Sequence, residues 1–60
     1  MENIMVMLNG CEQRFDAVVN MMDDEIREAL HYEGIEDPQA FVDAYIARHA
    51  EKYNGERFEI

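Results

Sequence analysis

The sequence predicts a small α+β domain in which two helices pack on a two-stranded sheet, with the elements in the order β-α-α-β. Three observations lead there: a short alternating apolar run near the start, two stretches of helical spacing in the middle, and a second alternating run at the end. Sixty residues make one domain, spanning 1–60. A chain of that size buries only about 60% of its unfolded surface, so its core is small and each element has to be well specified locally.

Residues 4–8 read as a strand, with Ile4, Val6 and Leu8 on one face and Met5 and Met7 on the other. Asn9-Gly10 ends it, glycine supplying the positive φ that a turn requires. Phe15, Val19, Met22, Ile26 and Leu30 then fall on one stripe at spacings of four, three, four and four. The stripe reads either as one helix over residues 12–32, straight or kinked, or as two helices. In the second case Asp23 or Asp24 caps the new helix and Glu25 lies in its first turn.

Gly34 closes that segment. Asp37-Pro38 opens the next helix, an N-cap residue before a proline at the first helical position, where the missing N–H costs nothing. Phe41, Tyr45, His49 and Tyr53 recur every four residues along it, Val42 and Ile46 widen its apolar face, and Asn54-Gly55 stops it. Arg57-Phe58-Glu59-Ile60 alternates polar and apolar as a short half-buried strand does. A helical hairpin brings the chain ends together, so the terminal strands are expected to pair, antiparallel with two helices and reversed with a third. The open edges of such a sheet leave room for a homodimer sharing four strands.

Fourteen acidic residues against five basic ones give a net charge of −9. That balance disfavours direct nucleic-acid binding, which needs Lys and Arg to neutralise phosphates, and repels anionic membrane surfaces. It favours a basic partner. Intrinsic disorder is the competing reading of high charge, but 48% of the residues are hydrophobic and they are patterned, which favours a fold. Residues 1–8 lack the basic start and long apolar region of a signal peptide, and no run approaches the roughly 20 apolar residues of a membrane helix. Cys11 is the single cysteine, which excludes an internal disulfide and fits a reducing compartment. A soluble cytoplasmic protein is the expectation.

No motif completes a catalytic or metal site. Glu28 and His31 form an E-x-x-H pair on one helix face, but di-iron bundles use that pair twice, and here Ile46 stands where a second glutamate would precede His49. The pair reads as surface residues near a helix end, where His31 complements the macrodipole. Asp23, Asp24, Glu25 and Glu28 cluster carboxylates without the spacing of a calcium loop. No third residue is evident to orient Cys11 and a histidine as a nucleophile and base. The chain therefore reads as a non-enzyme without a cofactor. Met5, Met7, Met21 and Met22 read as flexible core filling, and Tyr32, Tyr45 and Tyr53 as rims of a core or an interface.

The charge is concentrated. Residues 12–37 hold nine acids against Arg14 and Arg27, whereas residues 38–60 hold four acids against three bases. A solvated face that keeps a small domain soluble explains part of this, but solubility alone does not call for so strong an asymmetry. Asp23, Asp24, Glu25, Glu28, Glu33, Glu36 and Asp37 are the candidate partner-binding groups, acting as surrogates for phosphates. Whether they share one face depends on how the helices pack.

Four stretches, Asn20-Met21-Met22-Asp23-Asp24-Glu25-Ile26-Arg27-Glu28, Phe41-Val42-Asp43-Ala44-Tyr45, His49-Ala50-Glu51-Lys52-Tyr53 and Phe58-Glu59-Ile60, resemble short acidic proteins carried by bacterial phages and other mobile elements. The resemblance implies a setting that includes anti-CRISPR and antirestriction inhibitors, several of which are DNA mimics. The function it implies is inhibition of a basic, nucleic-acid-binding host defence protein. The alternative is a structural or assembly adaptor, as a monomer or homodimer, that binds through apolar sheet residues such as Met5 and Met7.

Overall fold

Five elements follow one another along the chain: β1 (Met5–Leu8), β2 (Cys11–Arg14), α1 (Phe15–Asn20), α2 (Asp24–Tyr32) and α3 (Pro38–Lys52). They are seen in a computed structural model whose description covers residues 3–59. The α+β class is as expected, but the order is β-β-α-α-α in place of β-α-α-β.

The first difference lies at Asn9-Gly10. These residues take φ values of 52° and 80°, the left-handed pair of a type I′ turn, whose twist matches that of two hairpin strands. β1 and β2 pair antiparallel, with Met5 opposite Arg14 and Leu8 opposite Cys11. The turn thus starts a hairpin where the apolar pattern predicts only the end of a strand. Cys11-Glu12-Gln13-Arg14 has no alternating apolar pattern, so periodicity carries no strand signal there. Ladder hydrogen bonds to β1 make it one. The backbone N–H of Phe15 then donates to the Ile4 carbonyl at 2.8 Å, and α1 begins without a linker.

The second difference lies at the C-terminus. Residues 57–59 form no strand, and Ile60 lies outside the described residues. β1 finds its partner across a two-residue turn, which costs far less chain entropy than pairing with a segment some fifty residues away. Phe58 still turns inward and is buried, and its carbonyl accepts a hydrogen bond from Asn9 Nδ2 at 2.8 Å. The tail is anchored by the Phe58 ring, by this hydrogen bond and by one of 3.2 Å between His49 Nδ1 and the Glu56 carbonyl.

The stripe over residues 12–32 resolves into two helices. Asp23 has extended backbone angles and caps α2, its carboxylate accepting from the Glu25 N–H at 2.9 Å and the Ile26 N–H at 3.4 Å. Asp37 caps α3 in the same way, through the Ala40 N–H at 2.9 Å, ahead of Pro38.

The core consists of Val6, Leu8, Val18, Met22, Ile26, Leu30, Phe41, Val42, Tyr45 and Phe58. Val18, which the stripe omits, is fully buried, whereas Phe15 and Val19 of the stripe only pack against the cluster's edge. Of the four methionines expected to fill the core, Met22 does so, while Met5, Met7 and Met21 are exposed. Ile4, which shares a face with Val6 and Leu8 in the alternating pattern, is half exposed ahead of the ladder. The outer edge of β1 is engaged at Met7: its N–H donates to Gln39 Oε1 at 2.7 Å and its carbonyl accepts from Gln39 Nε2 at 3.0 Å. A side-chain amide on α3 thereby stands in for part of a third strand and blunts that edge. No helix among the described residues is long and apolar enough to cross a membrane.

Replacing Phe58 by alanine should remove about 3 kcal/mol of stability, the usual cost of deleting a buried phenyl ring. That is much of what a domain of this size has. Urea unfolding followed by circular dichroism measures it, and an unchanged midpoint would place the tail outside the cooperative unit.

Candidate functional site

Two features have the geometry of a functional surface: the carboxylates distributed over α2 and its flanks, and a groove beside them. Both depend on the junction at Asp23. The backbone N–H of Asp23 donates to the hydroxyl of Tyr45, on the buried side of α3, at 2.7 Å. Its carboxylate caps α2 and also accepts from the Tyr53 hydroxyl and, at 3.2 Å, from Lys52 Nζ. The stripe of every fourth residue on α3 brings these partners into line. Tyr45, His49 and Tyr53 stack along the helix at centroid separations of 5.7 and 4.7 Å, and the Phe58 ring sits 4.7 Å from Tyr45 and 5.5 Å from His49.

These contacts set the electrostatics of the junction. The Tyr53 hydroxyl, then the Lys52 ammonium, hold the Asp23 carboxyl down at about 2 from its ordinary 3.8. Reciprocally, the Asp23 carboxylate raises the Tyr53 hydroxyl and, with Glu25, raises Lys52.

The seven candidate acids do not share one face. Asp23 and Asp37 are N-caps and turn their carboxylates to backbone N–H groups. Glu25 and Glu33 lie on the side of α2 that faces α3, paired with Lys52 at 3.2 Å and Arg48 at 2.6 Å. Asp24 pairs with Arg27 at 3.0 Å. Glu28 and Glu36 stand apart from these, on the rim of the groove. Every basic residue of the chain is held by an acid: besides Lys52, Arg48 and Arg27, Arg14 pairs with Asp16 at 3.0 Å and Arg57 with Glu59 at 3.8 Å. Among the described residues Glu12, Glu28, Glu36, Asp37, Asp43, Glu51 and Glu56 have no basic partner.

The groove runs between α1, α2 and the start of α3 and encloses about 400 Å³. Phe15, Val19, Ile35 and Phe41 form its apolar floor, with Phe15 and Phe41 edge to face at 6.0 Å. Arg27, Glu28, His31 and Glu36 form its rim. The E-x-x-H pair thus faces an open groove, and no group of three or more metal-ligating side chains is assembled among the described residues. Cys11 is exposed on β2. The apolar stripe gives Phe15 and Val19 no distinction from Met22, Ile26 and Leu30, so the groove is not legible in the pattern. The nearest local signal is the capping pattern at Asp23, which separates the first helix from the second. Tyr32, on the solvent side of α2, is almost wholly exposed, at 94%.

Because the Asp23 carboxyl titrates at about 2 when folded and near 3.8 otherwise, its stabilising contribution is complete above about pH 4 and is lost as the pH falls through about 2. Asp23→Asn should be less stable than the parent chain at neutral pH, and should lose less stability than the parent between about pH 4 and 2. Thermal unfolding at a series of pH values checks this. Parallel curves for the two proteins would remove Asp23 from the junction's electrostatics.

The family model of the anti-CRISPR protein AcrIC5 matches residues 6–58, which takes in all five elements except the first residue of β1. No curated protein was found to match the chain. The matched span includes the hairpin, the Asp23 junction, the groove and the tail anchored by Phe58, and the chain belongs to the AcrIC5 family of anti-CRISPR proteins.

Proposed function

We propose that the chain is a non-enzymatic inhibitor that uses its carboxylate-rich surface to occupy a basic, nucleic-acid-binding site on a CRISPR–Cas protein complex of the bacterial host. Family membership supports the inhibitor class and the kind of partner. The observation that carries the finer reading is the state of the cations. All five are bound to carboxylates of the chain itself, and seven described carboxylates are left without a basic partner.

Nine of the fourteen acids fall within residues 12–37, against two basic residues there. The surrogate phosphates in this reading are Glu28 and Glu36, which have no basic partner among the described residues, together with Asp24, Glu25 and Glu33, which would exchange their own exposed ion pairs for the partner's cations. Asp23 and Asp37 add to the field while capping their helices. The reading places the protein in the host cytoplasm, carried there by a phage or another mobile element.

Binding to purified CRISPR–Cas effector complex tests the proposal. Affinity should fall steeply between low and moderate salt, and duplex or single-stranded DNA should compete. Replacing Asp24, Glu25, Glu28 and Glu36 together by their amides leaves both caps in place. It should weaken binding about a hundredfold with helicity unchanged, at up to about 1 kcal/mol for each exposed charge pair. Binding indifferent to salt, to DNA and to the four substitutions would overturn it.

A further inference from the structure

A surface that only imitates phosphates needs carboxylates; it has no need of an apolar floor beneath them. The groove beside α2 has both. Phe15, Val19 and Ile35 are half-buried there, belonging neither to the closed core nor to open solvent. Above them stand Glu28 and Glu36, which have no basic partner among the described residues, while Arg27 on the same rim is tied to Asp24 at 3.0 Å. An inorganic cation would gain nothing from the floor, and a phosphate would find the one rim guanidinium, Arg27, already paired with Asp24 and two carboxylates beside it. A long cationic side chain suits both parts, since lysine and arginine lay an apolar stem along apolar surface and keep the charged head at its edge.

We propose that this groove receives an arginine or lysine of the inhibited protein, presented on a segment with apolar neighbours. The methylene stem lies across Phe15, Val19 and Ile35, and the cationic head meets Glu28 and Glu36. The volume of about 400 Å³ falls within the usual range for ligand pockets and accommodates one such side chain with part of its neighbour. This inference rests on the inhibitor reading for the source of the segment and deepens it. The broad acidic field draws the partner in, and the groove selects a protein feature that no nucleic acid carries.

Amide NMR shifts of the whole chain, titrated with an end-blocked Leu-Arg-Leu-Arg-Leu peptide, test the chemistry directly. Two controls accompany it, one with citrulline for arginine and one with glycine for leucine. The expected result is shift changes concentrated at Phe15, Val19, Glu28, Ile35 and Glu36, and strong loss of binding with either control peptide. Glu28→Gln with Glu36→Gln should weaken the peptide about fivefold to tenfold, whereas Glu51→Gln with Glu56→Gln, the same charge change elsewhere, should leave it unchanged. Shifts spread evenly over the acidic surface would overturn the proposal, as would equal weakening by both pairs of substitutions or full binding of the citrulline peptide. Effector binding that survives Glu28→Gln with Glu36→Gln undiminished would overturn the groove and leave the inhibitor reading standing. Groove-specific peptide binding by a chain that binds no CRISPR–Cas complex would uphold the groove and remove the inhibitor reading.

Discussion

Between α1 and α2 the backbone has to leave helical geometry and re-enter it, and Asp23 is where that happens. The residue caps α2 with its carboxylate, donates its own N–H to Tyr45, and accepts from Tyr53 and Lys52. A junction that is only a cap would leave the two helices free to pivot. One that also binds three side chains from α3 and its C-cap fixes the direction of α2 against that helix. Most of the remaining structure follows from this. Val18 and Met22 enter the core on one side of the break, and Ile26 and Leu30 on the other. Phe15 and Val19, on the same stripe, pack only against the edge of the core and form part of the groove's floor.

The sheet is a minor partner in this arrangement and is built to need little support. A two-stranded hairpin is marginal on its own. Here the I′ turn twists the strands correctly, Val6 and Leu8 supply the buried face, and Gln39 satisfies both outward backbone groups of Met7. The tail contributes at a distance: Phe58 packs among the rings of α3 while its carbonyl is held by Asn9 at the hairpin's turn. First strand, last helix and tail are thereby joined at one end of a core of ten side chains.

The ion pairs have a different meaning. Most join exposed groups, and such pairs add little to stability. Their consequence lies in the field. Arg14, Arg27, Arg48, Lys52 and Arg57 are each paired with a carboxylate, so their charge is partly offset where it reaches the surface. A net negative field of this kind speeds association with basic surfaces in general. Glu28 and Glu36 differ from the other candidate acids in lining a groove with an apolar floor.

Whatever depends on neighbours along the chain is legible in the residues themselves. Asp37-Pro38 and Asn54-Gly55 bound α3 as their pattern predicts, because capping and left-handed turns are decided by one or two residues. Asp23 is a candidate cap by residue type, and the acidic excess is plain from composition. Short-range pattern misleads where a residue's state is chosen by something distant. Cys11-Glu12-Gln13-Arg14 becomes a strand by pairing with β1, and Phe58 becomes an anchor without a ladder. Val18 replaces Val19 in the core once the helix breaks. The candidate acids show the same division. The sequence offers seven candidates, of which local capping takes Asp23 and Asp37, while tertiary packing and helix neighbours pair Asp24, Glu25 and Glu33 with basic side chains and leave Glu28 and Glu36 on a groove. The physical reason is that charge and capping propensity belong to single residues, whereas exposure, pairing and the shape of a surface belong to the whole folded chain.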